Sequence, residues 1–252
     1  MRQAVAYSLC VLTGSLWGCS SSEASTPFQS ALVLPSTLQE SLTYPLFLVD
    51  TRGATTYRQQ GLAARDQGDF AGAIAALKTA VALDPGHVPS YVLLGWTQHL
   101  AGDRDAAITT LNQGLIRDAE HVPALNALGI AYLVNGELES AIATHTQAKT
   151  LKPNNEIAYY NLSLAYQRLP DVAAAIEHAD RATELEPDNP HPWVALALAY
   201  WNSEERAAAQ VAYQRALQLD SRYYDAYHLE HLLRAGFSAE QIEQVDKIRT
   251  QI

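Results

Sequence analysis

Small and bulky apolar residues recur along this chain at a fixed interval. Ala73, Ala107, Ala141, Ala175 and Ala209 stand 34 residues apart. Twelve positions before each comes a small residue: Gly61, Gly95, Gly129, Ser163 or Ala197. Four positions before that comes a bulky one: Tyr57, Tyr91, Leu125, Tyr159 or Trp193. The last three units add Tyr132, Tyr166 and Tyr200, three residues after the small position. Self-similarity held without an insertion marks a repeat protein, in which each unit is one supersecondary element stacked on its neighbours. Within a unit the apolar positions 4, 7, 8 and 11 follow the i, i+3, i+4, i+7 spacing of one helical stripe. The small residues at positions 8 and 20 predict two antiparallel helices in close approach, where a larger side chain would overpack.

Turn residues fall between the two predicted helices. Gln67-Gly68-Asp69, Ala101-Gly102-Asp103 and Asn135-Gly136-Glu137 supply a glycine where the first helix must stop. In the fourth unit Pro170-Asp171 takes this place, and in the fifth Asn202-Ser203-Glu204-Glu205 does, with Ser203 the expected N-cap. After the fifth unit, Asp225 to Ala235 reads as another first helix ended by Gly236. Ser238-Ala239-Glu240-Gln241 then has the form of a capping box opening a last helix, whose Glu240, Glu243, Gln244, Lys247 and Arg249 suit a polar outer face.

The pattern resembles the tetratricopeptide repeat, most plainly in the third unit, with Leu125, Leu128, Gly129, Tyr132, Ala141, His145, Ala148 and Pro153. The resemblance implies an all-α fold, a tetratricopeptide-repeat helical solenoid of antiparallel helix pairs wound into a right-handed superhelix. The five repeats are framed as 54-87, 88-121, 122-155, 156-189 and 190-223, with 224-252 as capping helices. Departures at Gln60, Ala64, Gln98, Ala119 and Ser221 touch single repeats only.

Composition agrees with thin helical layers. Hydrophobic residues make up 48% of the 252 residues but aromatic ones only 8%, so alanine carries much of the apolar content. A sandwich or barrel would want β-branched and aromatic residues in its place. The formal charge of -10, with the basic residues scattered, leaves no stripe to neutralise phosphates and excludes nucleic acid as a partner.

The first residues read as an address. Arg2 precedes an apolar stretch that is too short and interrupted to span a membrane, which is the pattern of a secretory signal over 1-18. Leu16-Trp17-Gly18-Cys19 resembles the lipobox of bacterial lipoproteins, although Trp17 is larger than usual. That likeness implies cleavage before Cys19, palmitate or a similar acyl chain on it, and a membrane-tethered protein of the cell envelope. A plain signal cut after Ala24 is the alternative. Residues 19-53 are then a Ser- and Pro-containing tether followed by an apolar stretch expected to pack back on the body.

The resemblance also places the first helices on a concave face, at positions 2, 5, 9 and 12 of each unit. The groove-lining residues expected there are Arg58 and Arg65, Val92, Trp96 and His99, Asn126, Ile130 and Leu133, Tyr160, Leu164 and Gln167, and Trp201. Such an apolar strip with aromatic anchors suits a docked protein or peptide segment. Some family members clamp a C-terminal carboxylate with Lys, Asn and Arg, but Leu62 and Trp96 stand where the asparagines would be. His228 and His231, at i and i+3, are a two-ligand metal geometry lacking a third member. No phosphate loop, HExxH, CxxC or nucleophile elbow occurs, so neither cofactor nor catalysis is expected. The function read from the sequence is therefore a non-catalytic interaction scaffold. Its variants are a pilotin-type lipoprotein for type IV pilus or secretion assembly and an assembly factor for a photosynthetic membrane complex. The rival of another class is a small metal-dependent enzyme.

Overall fold

The computed structural model describes residues 48–169 and 171–252. Cys19, the signal, the tether up to residue 47 and Pro170 lie outside the described residues. Among the described residues every regular element is helical. Five helix pairs follow one another: α1 (Thr51–Asp66) with α2 (Phe70–Leu83), α3 (Val88–Leu100) with α4 (Arg104–Leu115), and α5 (Val122–Asn135) with α6 (Leu138–Leu151). The series continues as α7 (Glu156–Gln167) with α8 (Val172–Leu185) and α9 (Pro190–Asn202) with α10 (Arg206–Leu219). A short 3₁₀ turn (Ser221–Tyr224), a longer 3₁₀ helix (Ala226–Leu233) and α11 (Ala239–Arg249) close the chain.

Side-chain caps open the second helix of the first, second and fourth pairs. Asp69 Oδ1 accepts from the Gly72 amide at 2.8 Å to start α2, and Asp103 and Asp171 do the same for α4 and α8. Upstream, Gly68, Gly102 and Gly136 take φ of 80°, 85° and 87°, the left-handed conformation that ends α1, α3 and α5. The first helix begins at Thr51, ahead of the 54-87 frame, because Asp50 caps it by accepting from the Gly53 amide.

The fifth unit departs from the expected cap. Ser203 is the C-cap of α9, and its hydroxyl donates to the Tyr200 carbonyl; the residue at the N-cap of α10 is Glu205. Glu204 occupies the left-handed position with φ 66°. The turn keeps the register of the glycine stops, with Glu204 in the glycine's place, so α10 starts two residues later than a Ser203 cap would have set it.

Packing follows the small residues. A Cβ on Gly61 would come within 2.6 Å of Leu77, and one on Gly95 within 2.6 Å of Leu111. On Gly129 it would overlap the His145 ring. First helices also meet one another across units, α1 with α3, α3 with α5, α5 with α7 and α7 with α9, whereas second helices make no comparable contact among the described residues. That asymmetry curves the stack and puts the first helices on its inner side.

The C-terminal region is the main departure from the sequence pattern. Ala226–Leu233 is a 3₁₀ helix, not a sixth α-helical first helix. Three residues per turn sort its side chains into stripes. Leu229 and Leu232 are buried, His228 and His231 are half-buried, and Tyr227, Glu230 and Leu233 face solvent. Gly236, at φ 93°, ends it, and the reciprocal Ser238–Gln241 capping box starts α11.

Candidate functional site: the concave groove

The inner face is formed by α1, α3, α5, α7 and α9, and it differs between its two ends. At the N-terminal end Arg58 donates to Ser90 Oγ at 3.3 Å and to Thr55 Oγ1 at 2.6 Å, while Arg65 lies 3.5 Å from the Asp66 carboxylate. In α3 the Trp96 ring stacks on His99 with centroids 5.0 Å apart. Burial, and then the nearby Arg104, holds the His99 imidazole below its ordinary pKa, so the stack carries no charge at neutral pH.

The middle of the groove is open and apolar. A depression of about 440 Å³ is lined by Val92, Trp96, Asn126, Ile130 and Ile157 among others. It adjoins a second of about 220 Å³ that shares Trp96, Ile130 and Ile157 and extends to Tyr160, His191 and Pro192. Asn126 belongs to the floor more than to the lining. Its amide donates to Asn155 Oδ1 at 3.1 Å and its carbonyl oxygen accepts from Asn155 at 2.8 Å, so the pair satisfies itself and joins α5 to the start of α7. Polar groups stand at the rim, with Lys152 beside the first depression and Glu156, Glu186, Asn189 and Arg234 beside the second.

The C-terminal half is covered. Leu133 and Leu164 are fully buried, and the exposed strip read from the sequence does not extend over them. Both belong to a core that also holds Val194, Leu198, Leu229, Leu232, Phe237, Val245 and Ile248. The C-terminal region is thus laid on the inner face of the last repeats. Tyr160 donates its hydroxyl to the Ala235 carbonyl at 2.7 Å, and burial raises its pKa well above the ordinary phenol value. Gln167 donates to Ser163 Oγ and to the Ala195 carbonyl, both at 3.0 Å, tying α7 to α9. Half-buried Trp201 lies under the Arg206 guanidinium, 3.7 Å from the ring centroid.

The twelve groove residues named from the sequence therefore separate into several groups. Val92, Trp96 and Ile130 line the open depressions, while Arg58, Arg65 and His99 stand on α1 and α3 outside them. Asn126, Leu133, Tyr160, Leu164 and Gln167 are used by internal packing or internal hydrogen bonds, and Trp201 packs against the C-terminal core. Ile157 and Pro192 line the open part but were not singled out by the sequence. Ile157 occupies position 2 of its unit, and treating that position like 5, 9 and 12 would have found it. His228 and His231 sit among rings rather than around a metal: no group of three His, Cys, Asp or Glu among the described residues is arranged to hold one. No helix among the described residues is long and apolar enough to cross a membrane.

Two models of the tetratricopeptide repeat match the chain, one over residues 64–128 and the other over 157–189 and 190–223. Among solved structures, a crystal structure of MamA protein is 29% identical, covers 68% of this chain and 93% of that one, and superposes with a TM-score of 0.58. MamA 41-end from Desulfovibrio magneticus RS-1 is 20% identical over 68% and 96%, with a TM-score of 0.61. A thermophilic tetratricopeptide-repeat protein of Thermus thermophilus is 20% identical over 73% and 98%, with a TM-score of 0.58. Likenesses at 20% identity show the fold alone. No curated protein matches the sequence.

Proposed function

The chain being a solenoid of tetratricopeptide repeats, we propose that it is a non-catalytic adaptor that binds protein segments in the open part of its concave groove. We further propose that it is held at a membrane by a lipid on Cys19 and serves the assembly or maintenance of an envelope complex. One observation carries the adaptor reading. Trp96, Ile130 and Ile157 form a continuous apolar floor between two depressions, bordered by charged and amide groups. An aromatic anchor in a pocket with a polar rim is the arrangement in which a few residues supply most of the binding energy. The same shape suits an amphipathic helix or an extended peptide. Repeat proteins of this kind generally act as interaction modules, which supports the adaptor reading.

A photo-crosslinking side chain placed at position 96 or 130 is expected to form adducts in living cells. The same group at Thr109, exposed on α4, is expected to form none. Adducts from position 109 with none from 96 and 130 would move the binding surface to the outer face. The anchor rests on the lipobox-like Leu16-Trp17-Gly18-Cys19. Radiolabelled palmitate should enter the wild-type protein and not Cys19→Ser. Equal labelling of the two, or labelling of neither, would remove the anchor.

A further inference from the structure

The segment that covers the C-terminal half of the groove engages it as a docked partner would. Leu229, Leu232, Phe237, Val245 and Ile248 insert beside Leu133, Leu164, Val194 and Leu198 of the first helices. Two hydrogen bonds fix its path across α7: Tyr160 Oη donates to the Ala235 carbonyl at 2.7 Å, and Gln241 Nε2 donates to the Leu164 carbonyl at 3.2 Å. Apolar anchors in a groove combined with main-chain hydrogen bonds are the means by which peptide segments dock.

Where the segment crosses the start of α9, three imidazoles meet. His231 stacks on His228 with centroids 4.1 Å apart and meets the edge of His191 at 5.4 Å. Tyr223 Oη lies 3.0 Å from His231 Nε2, and His191 Nδ1 lies 2.9 Å from Asn189 Oδ1. The charged groups around them are Asp220, Arg222 and Asp225 on the preceding turn, Glu186 ahead of α9, and Glu230 and Arg234 on the 3₁₀ helix. Asp220 is the acid best placed to receive an added proton's charge, being 3.8 Å from His228 Nε2. It is already held by Arg222, whose Nε reaches both carboxylate oxygens at 3.0 and 3.1 Å and whose Nη2 reaches one at 2.8 Å.

We propose that Ala226–Arg249 is a built-in occupant of the concave groove whose docking requires His191 and His228 to be neutral. Acidification then releases it and opens the groove over α7 and α9 to a partner segment with the same pattern of apolar anchors. Burial, followed by the neighbouring His231, holds His191 down at about 4. Burial, followed by His231 and Arg222, also lowers His228. Once the segment leaves, the rings return towards about 6.5. The released form therefore binds more protons. The docking constant is undiminished above pH 6.5 and falls as the pH drops below it, by about tenfold per pH unit for each imidazole kept neutral while docked. For His191 this fall ends near its docked value of about 4.

Hydrogen exchange of the full-length protein between pH 7.5 and 5.0 tests this, and it needs no partner, so its result is independent of whether the groove binds one. After correction for the intrinsic rate, protection in 226–249 is expected to fall at least tenfold more than in α9 and α10. The variant His191→Gln/His228→Gln/His231→Gln should lose that difference. If this variant leaves the segment undocked at pH 7.5, the single change His191→Gln is measured in its place and should flatten the same slope. Parallel loss of protection in 226–249 and α9–α10 would show an ordinary structural cap and overturn the proposal. An unchanged slope in the glutamine variants would overturn it equally.

Discussion

At position 145 the third unit places an imidazole where the first two place Leu77 and Leu111. The ring is fully buried against Gly129, neither nitrogen has a hydrogen-bond partner, and burial lowers its pKa to about 3. Above pH 6.5 the residue is neutral in both the folded and unfolded chain. Below that value the unfolded chain takes up a proton that the folded one refuses. The stability it permits is thus present above pH 6.5 and is lost at up to about 1.4 kcal/mol per pH unit as the pH falls towards 3. His145→Leu removes two unsatisfied polar atoms at nearly conserved volume. It is expected to raise stability by about 1–3 kcal/mol at neutral pH and to flatten the acid limb. Urea unfolding at pH 7.5 and 5.0 checks both effects, and a destabilised variant at both pH values would refute them. The sequence placed His145 among the pattern positions of the third unit. That this position offers it no hydrogen-bond partner is visible only with the neighbouring helix in place.

Among the elements, the turn from α9 to α10 carries local strain. Gly68, Gly102 and Gly136 take positive φ at the corresponding place in the first three units, whereas the fifth does so with Glu204 at φ 66°. A side chain in this conformation costs about 1–2 kcal/mol. Glu204→Gly is expected to recover about 1 kcal/mol and raise Tm by about 2–4 °C, read by calorimetry. A fall in Tm would show that the Glu204 side chain contributes more than its backbone loses. The helix pairs and their glycine stops were legible because period and turn chemistry are local properties. The 3₁₀ helix Ala226–Leu233 was not: its apolar Leu229 and Leu232 fit an α-helical stripe as well as a threefold one. Packing the two leucines inward and stacking His228 on His231, each three residues apart, favours three residues per turn.

For the whole molecule, stability is distributed unevenly along the stack. The largest core runs from Leu133 to Ile248 and unites the last repeats with the C-terminal segment, while the second and third repeats hold smaller clusters around Leu111 and Leu125. In a solenoid each unit is stabilised by its neighbours, so an added contact at one end strengthens that end most. The open groove consequently lies on the part of the stack with less buried apolar side chain. The pH-dependent release of the C-terminal segment belongs to this scale, because it couples imidazoles on α9 and on the 3₁₀ helix to the exposure of Leu133 and Leu164.

The sequence by itself determined the all-helical class, the 34-residue repeat and the glycine stops of the first three units. All three follow from short-range periodicity and from side-chain size at fixed spacings. Only the tertiary structure decided which inward positions remain open. Tyr160 meets Ala235 across 75 residues and Gln241 meets Leu164 across 77. Contacts between residues so far apart leave no trace in a 34-residue period, so a strip that reads as continuous along the chain is, once folded, half groove and half core.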